Sequence, residues 1–146
     1  MLQTFLPYPD FDRSAQVLDR SRLGKQRIEA LQILRACMDP TYGFQHHPAV
    51  SMWRGHEVAL HNYGQAICRE WIRRGYMDTV AQKLTESVMP ALMRPGQGDP
   101  AWLGDERFHR WHQSKLVRVD PDHYRPEFPD VPDDLEDAWP IRDLGY

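Results

Sequence analysis

Between positions 49 and 71 the apolar and aromatic residues recur three or four apart. They are Ala49, Met52, Trp53, Ala59, Leu60, Tyr63, Ile67 and Trp71, and no other feature constrains the fold of this chain more. An α-helix gathers such positions on one face, whereas a half-buried strand needs alternation with a period of two. Pro48 suits the first turn of this helix because its missing N–H has no partner to lose there, and Gly75 can end it. No strand-like alternation and no internal repeat stands out elsewhere. An earlier helix, capped by Asp12 or Ser14, is expected to run to about Met38, where Asp39-Pro40 stops it. A third, over 78–93, meets Pro90 and the Pro95-Gly96 breaker, and a fourth spans about 100–119. The expectation is an all-α, compact three- to four-helix bundle. It has an extended N-terminal arm over residues 1–10, twice interrupted by proline, and an irregular C-terminal tail.

A chain of 146 residues makes one domain. Residues 1–125 read as the helical domain, and 126–146 as an acidic, proline-rich tail packed on it. No apolar run approaches the roughly 18 residues that span a bilayer, and no basic-then-apolar leader opens the chain, so a cytoplasmic protein with no membrane partner is expected. Cys37 and Cys68 lack metal or redox spacing and read as buried thiols. The net charge of −3 is unevenly spread. From Asp120 onward nine acidic residues face two basic ones, a balance of −7, while residues 1–119 carry +4. A mildly basic body permits a nucleic-acid partner without requiring one.

The first helix is interrupted by 19–27, Asp-Arg-Ser-Arg-Leu-Gly-Lys-Gln-Arg, which has one large apolar residue in nine. If Leu18 and Ile28 face inward, the stripe passes through Ser21 and Lys25, where a core helix wants leucine. Either this is a solvated turn, or the helix lines a cleft with Gly24 permitting close approach and Arg20, Arg22, Lys25 and Arg27 gripping phosphates. His46 and His47 precede a helix start, where an imidazole can donate to a phosphate or act as acid or base. His56 falls on the second helix's apolar stripe. It cannot share a metal face with His61, five positions on, whereas His109 and His112 share one face and leave a metal open. The segment 108–118 mixes aromatics with donors and contains no acid, a pattern suited to nucleic-acid contact through His109, His112, Lys115 and Arg118, or to a plugged core.

These pieces, in this order, resemble the pyrimidine-dimer DNA glycosylases of the endonuclease V type. The resemblance is carried by the arm and the 19–26 segment, by Tyr42-Gly43-Phe44-Gln45-His46-His47-Pro48, by Gly55-His56, and by 115–124 with its closing His123-Tyr124. It spans about residues 1–125. It implies a helical fold with the arm threaded between helices, and a metal-free and cofactor-free reaction on duplex DNA with a damaged or modified base. In that reaction an N-terminal amine attacks the sugar C1′, a glutamate on the first helix assists removal of a sugar proton, and the strand breaks by β-elimination. Aligning Arg20 with the family's arginine puts Ser21 at the glutamate position. Asp19 and Glu29 are the nearest carboxylates, and Glu29 lies about 80° around the axis from Ser21, so neither is an obvious substitute. Leu2 is bulky and leaves Met1 in place, so the amine is expected to be that of Met1, with Lys25 as fallback. The residues expected at the chemistry are therefore Met1, Arg20, Ser21, Lys25 and His56. Those expected on DNA are Arg22, Arg27, His46, His47, His109, His112, Lys115 and Arg118. A monomer is expected. The alternatives are a nucleic-acid-binding relative without catalysis and an enzyme on a free nucleotide or nucleoside with histidine acid/base groups.

Overall fold

The computed structural model describes residues 2–95 and 98–140, and every regular element among them is helical. The elements are α1 (Phe11–Val17), α2 (Arg20–Met38), α3 (Pro48–Ser51), α4 (Glu57–Arg73), α5 (Val80–Val88), a 3₁₀ turn (Met89–Met93), α6 (Glu106–Val119) and α7 (Pro121–Tyr124).

The expected first helix is two. Asp10 caps α1 by accepting the Arg13 N–H at 2.8 Å. The chain then runs extended through Leu18 and Asp19. Asp19 caps α2 through the Arg22 N–H, so the charged run is the start of a helix rather than its middle. The break is braced from outside. The Arg74 guanidinium donates to the carbonyls of Gln16 (3.1 Å) and Leu18 (2.7 Å), and the Tyr124 hydroxyl donates to the Asp19 carboxylate. The second expected helix is also two, α3 and α4, parted by a turn at Gly55, whose φ of 83° suits glycine.

α2, α4 and α5 pack on one another, and α1 lies on α4. They pack tightly at Gly64, where an added Cβ would stand 2.7 Å from a Leu84 methyl and 3.4 Å from the Ala30 Cβ. The core holds Leu23, Ile33, Leu34, Trp53, Leu60, Tyr63 and Ile67, all fully buried. α6 joins this body mainly through the N-terminal arm, whose Leu2, Gln3, Thr4 and Leu6 are buried between helices. The Leu6 N–H donates to His112 Nδ1 (2.7 Å), His109 Nδ1 donates to the Leu6 carbonyl (2.8 Å), and the Gln113 amide reaches the Pro7 carbonyl (2.8 Å). Beyond α7 the chain runs without regular structure along α6, anchored by Phe128, Val131 and Ala138. No helix among the described residues is long and apolar enough to cross a membrane.

Candidate active-site cleft

Gln26 is buried on α2 among Leu23 and Ala30, and all four of its hydrogen-bonding positions are used. Its Oε1 accepts the Phe5 N–H (2.9 Å) and lies 2.6 Å from the Tyr63 hydroxyl, which also faces the Phe5 carbonyl. Its Nε2 donates to the Gln3 carbonyl (3.0 Å) and to Glu29 Oε2 (2.8 Å). One side chain therefore fixes the arm to α2 and orients a carboxylate.

That carboxylate lies in a cleft of about 400 Å³ between the arm, α2 and α6. Gln3 and Phe5 of the arm form one wall, Ser21, Arg22, Lys25, Gln26 and Glu29 of α2 the second, and Lys115 and Val119 of α6 the third. Burial raises the Glu29 carboxyl above its ordinary value, against the opposing Gln26 amide and the Lys25 charge. Burial likewise lowers the Lys115 ammonium, with Asp137 opposing and Arg118 reinforcing that shift. The Lys115 Nζ sits 5.0 Å over the Trp111 ring. The Gln3 Nε2 is buried without a partner, an unused donor on the arm wall.

The stripe expected to face inward, through Ser21 and Lys25 to Ile28, is not the face that the arm covers, and Glu29 lies in the cleft. Ile28 is 45% exposed, and the surface covered by the arm is the stripe Arg22, Gln26 and Glu29, with Ser21 and Lys25 at its rim. Helix periodicity gives the stripes, but only the arm's path shows which one is roofed.

The other expected residues fall into three groups. Ser21, Lys25, Arg22 and Lys115 share the cleft, with Arg22 also bonded to Asp19 at 3.1 Å. Arg20 and Ser21 line a second, more open groove with Gly24, Lys25, Ile28 and Trp71, and Arg20 stands over the Tyr76 ring. The close approach at Gly24 is by the Trp71 indole, 3.1 Å from an added Cβ, rather than by a ligand. A third group is committed elsewhere. Arg27 pairs with Asp78 (2.6 Å) and lies over Trp71, and Arg118 donates to the tail carbonyl of Asp133 (2.7 Å). His109 and His112 are buried and hold the arm, so neither ring reaches a backbone phosphate or meets the needs of an acid/base on a free nucleotide. His47 accepts the Ala49 N–H with its own Nδ1 (3.0 Å), occupying the helix start proposed for an anion, while His46 is exposed. His56 leaves the apolar stripe to cap α4, its Nδ1 bonded to the Gly98 carbonyl (2.9 Å), outside the cleft. Met1 lies outside the described residues. Among those residues no three His, Cys, Asp or Glu side chains converge as a metal site would require. Burial pushes the thiols of Cys37 and Cys68 up to about 12.

The N-terminal arm threads the helical body, and the cleft it closes against α2 and α6 holds one carboxylate and two lysines. The family model for pyrimidine dimer DNA glycosylase matches residues 2–84, from the arm into α5, and the chain belongs to that family. No curated protein and no solved structure matches it.

Proposed function

We propose that the protein excises a damaged or modified pyrimidine from duplex DNA by amine chemistry in the cleft between the arm, α2 and α6. Family membership supports DNA as the substrate. The observation that carries the reading is the convergence of a half-buried Glu29 with Lys25 and Lys115 in one cleft.

An amine nitrogen bonds to C1′ as the glycosidic bond breaks and the base departs with a proton. The sugar ring opens to an imine. Glu29 then removes a proton from C2′, the electrons form a double bond toward C3′, and the C3′–O bond breaks to release the phosphate. A carboxyl held above its ordinary value suits a group that must take up a proton at this step, and an ammonium held below its ordinary value suits one that must be a free amine. Lys115 meets that requirement best among the described amines, Lys25 stands opposite it, and the Met1 amine is the third choice that trapping would separate. Gln3 Nε2 offers the base carbonyl a donor, and Arg22 offers the phosphate a charge.

Glu29→Gln tests the reading. Single-turnover strand cleavage of a duplex carrying an abasic site should fall about 10²–10⁴-fold, with duplex affinity kept. Strand cleavage at the wild-type rate would remove Glu29 from the chemistry.

A further inference from the structure

Phe44 is the sole non-glycine residue with positive φ (65°) among the described residues. That left-handed conformation favours glycine, and for a bulky side chain it is an outlier. Gly43 stands one position earlier with open space around it, so the strained position carries an aromatic ring although the residue best suited to it is next door. Burial does not explain the choice, because Phe44 is 51% exposed.

The loop that presents Phe44 is firmly held. Gln45 Nε2 donates to the carbonyls of Ala36 (2.9 Å), Asp39 (3.0 Å) and Tyr42 (2.9 Å). The Arg54 guanidinium donates to the Gln45 carbonyl and its Oε1, both at 2.9 Å. The His47 N–H donates to the Phe44 carbonyl at 3.0 Å. A strained side chain, exposed and fixed from behind, is placed for something outside the molecule.

The loop is tied to the cleft by an aromatic ridge. The His47 ring meets Trp139 (6.1 Å), Trp139 meets Trp111 (5.0 Å), and Lys115, a wall of the cleft, lies over Trp111. Exposed His46 and Arg54 stand beside Phe44, an imidazole and a guanidinium able to donate hydrogen bonds to phosphates.

We propose that Phe44 is a wedge that inserts between base pairs of the duplex beside the lesion, with Arg54 and His46 on the flanking phosphates. This rests on the reading that the cleft acts on a base in DNA. An apolar wedge unstacks a base step, which costs least where the base is damaged, and the kinked duplex can then bring the damaged nucleotide to the cleft.

The test uses a duplex with 2-aminopurine beside an abasic-site analogue, bound by the full-length protein. Wild type should raise the fluorescence as the probe unstacks. Phe44→Gly relieves the backbone and should melt at or above the wild-type temperature. It should nevertheless lose the fluorescence rise and bind the lesion duplex about tenfold more weakly, while Phe44→Trp keeps both. Phe44→Gly with wild-type fluorescence and lesion affinity overturns the wedge alone if wild type excises its base. A wild-type protein that neither unstacks the probe nor prefers the lesion duplex overturns both the wedge and the reading beneath it.

Discussion

Glu29 loses its proton above the ordinary carboxylate value of 4.5 because burial penalises its charge more than Gln26 and Lys25 relieve it. A base with such a carboxyl works only when ionised. The acid limb of the strand-cleavage rate should therefore lie above pH 4.5 and disappear from whatever residual rate Glu29→Gln retains; a limb unchanged in that variant would assign it to another group. Gln26 is the companion finding at this scale. In the sequence it is one polar letter in a charged run, because what makes it central is a partner 21 residues away, the Phe5 N–H at 2.9 Å. Ser21, Lys25 and Lys115 were legible as candidates because residue type alone marks them. Glu29 is legible too as one of the two nearest carboxylates, but not its place in the cleft, because the arm lies along the stripe of Arg22, Gln26 and Glu29.

At the scale of elements, helix identity was legible from periodicity and breakers, and helix ends were not. The α1–α2 break depends on Arg74 and Tyr124, which reach Leu18 and Asp19 from far along the chain. The arm was legible as extended and, through the family resemblance, as threaded. Its anchors were not, and the histidines read as DNA contacts are what hold it. The His112 Nδ1 accepts the Leu6 N–H, and burial, reinforced by the Lys115 charge, keeps the ring well below its ordinary 6.5. His109 is lowered too, chiefly by burial. The folded state thus resists protonation that the unfolded chain accepts. Stability from these rings is whole above pH 6.5 and declines as pH falls below it. The hydrogen-bonded carboxylates Asp19, Glu70 and Asp78 have lowered values and lose their contribution only further down, below their ordinary 3.8 to 4.5. Urea unfolding should therefore weaken between pH 6.5 and 5. His112→Asn, which keeps an acceptor for the arm, should flatten that slope; an unchanged slope would place the titration elsewhere.

Over the whole molecule the charge asymmetry becomes spatial. The acidic segment does not trail away from the basic body; through Asp133 and Leu135 it holds Arg118, and the Leu135 N–H donates to Ser114 on α6 (3.1 Å). The Asp137 carboxylate of this segment acts on the Lys115 ammonium, a wall of the cleft. Asp137→Asn should tighten duplex binding and steepen its salt dependence, because one anion fewer then competes with phosphate at Lys115; unchanged affinity would make the segment purely structural. The central claim, that this cleft performs amine chemistry on a DNA sugar, is most directly tested by borohydride trapping. The protein would be incubated with labelled duplexes carrying an abasic site, a cyclobutane dimer or a modified pyrimidine, reduced, and the adduct mapped by peptide mass spectrometry. The account predicts a covalent adduct on an amine at the cleft, Lys115 or Lys25, or on Met1, and an adduct that persists with Glu29→Gln while strand cleavage is lost. Folded protein that excises the base without any trappable adduct, or an adduct on a lysine remote from the cleft, would contradict it.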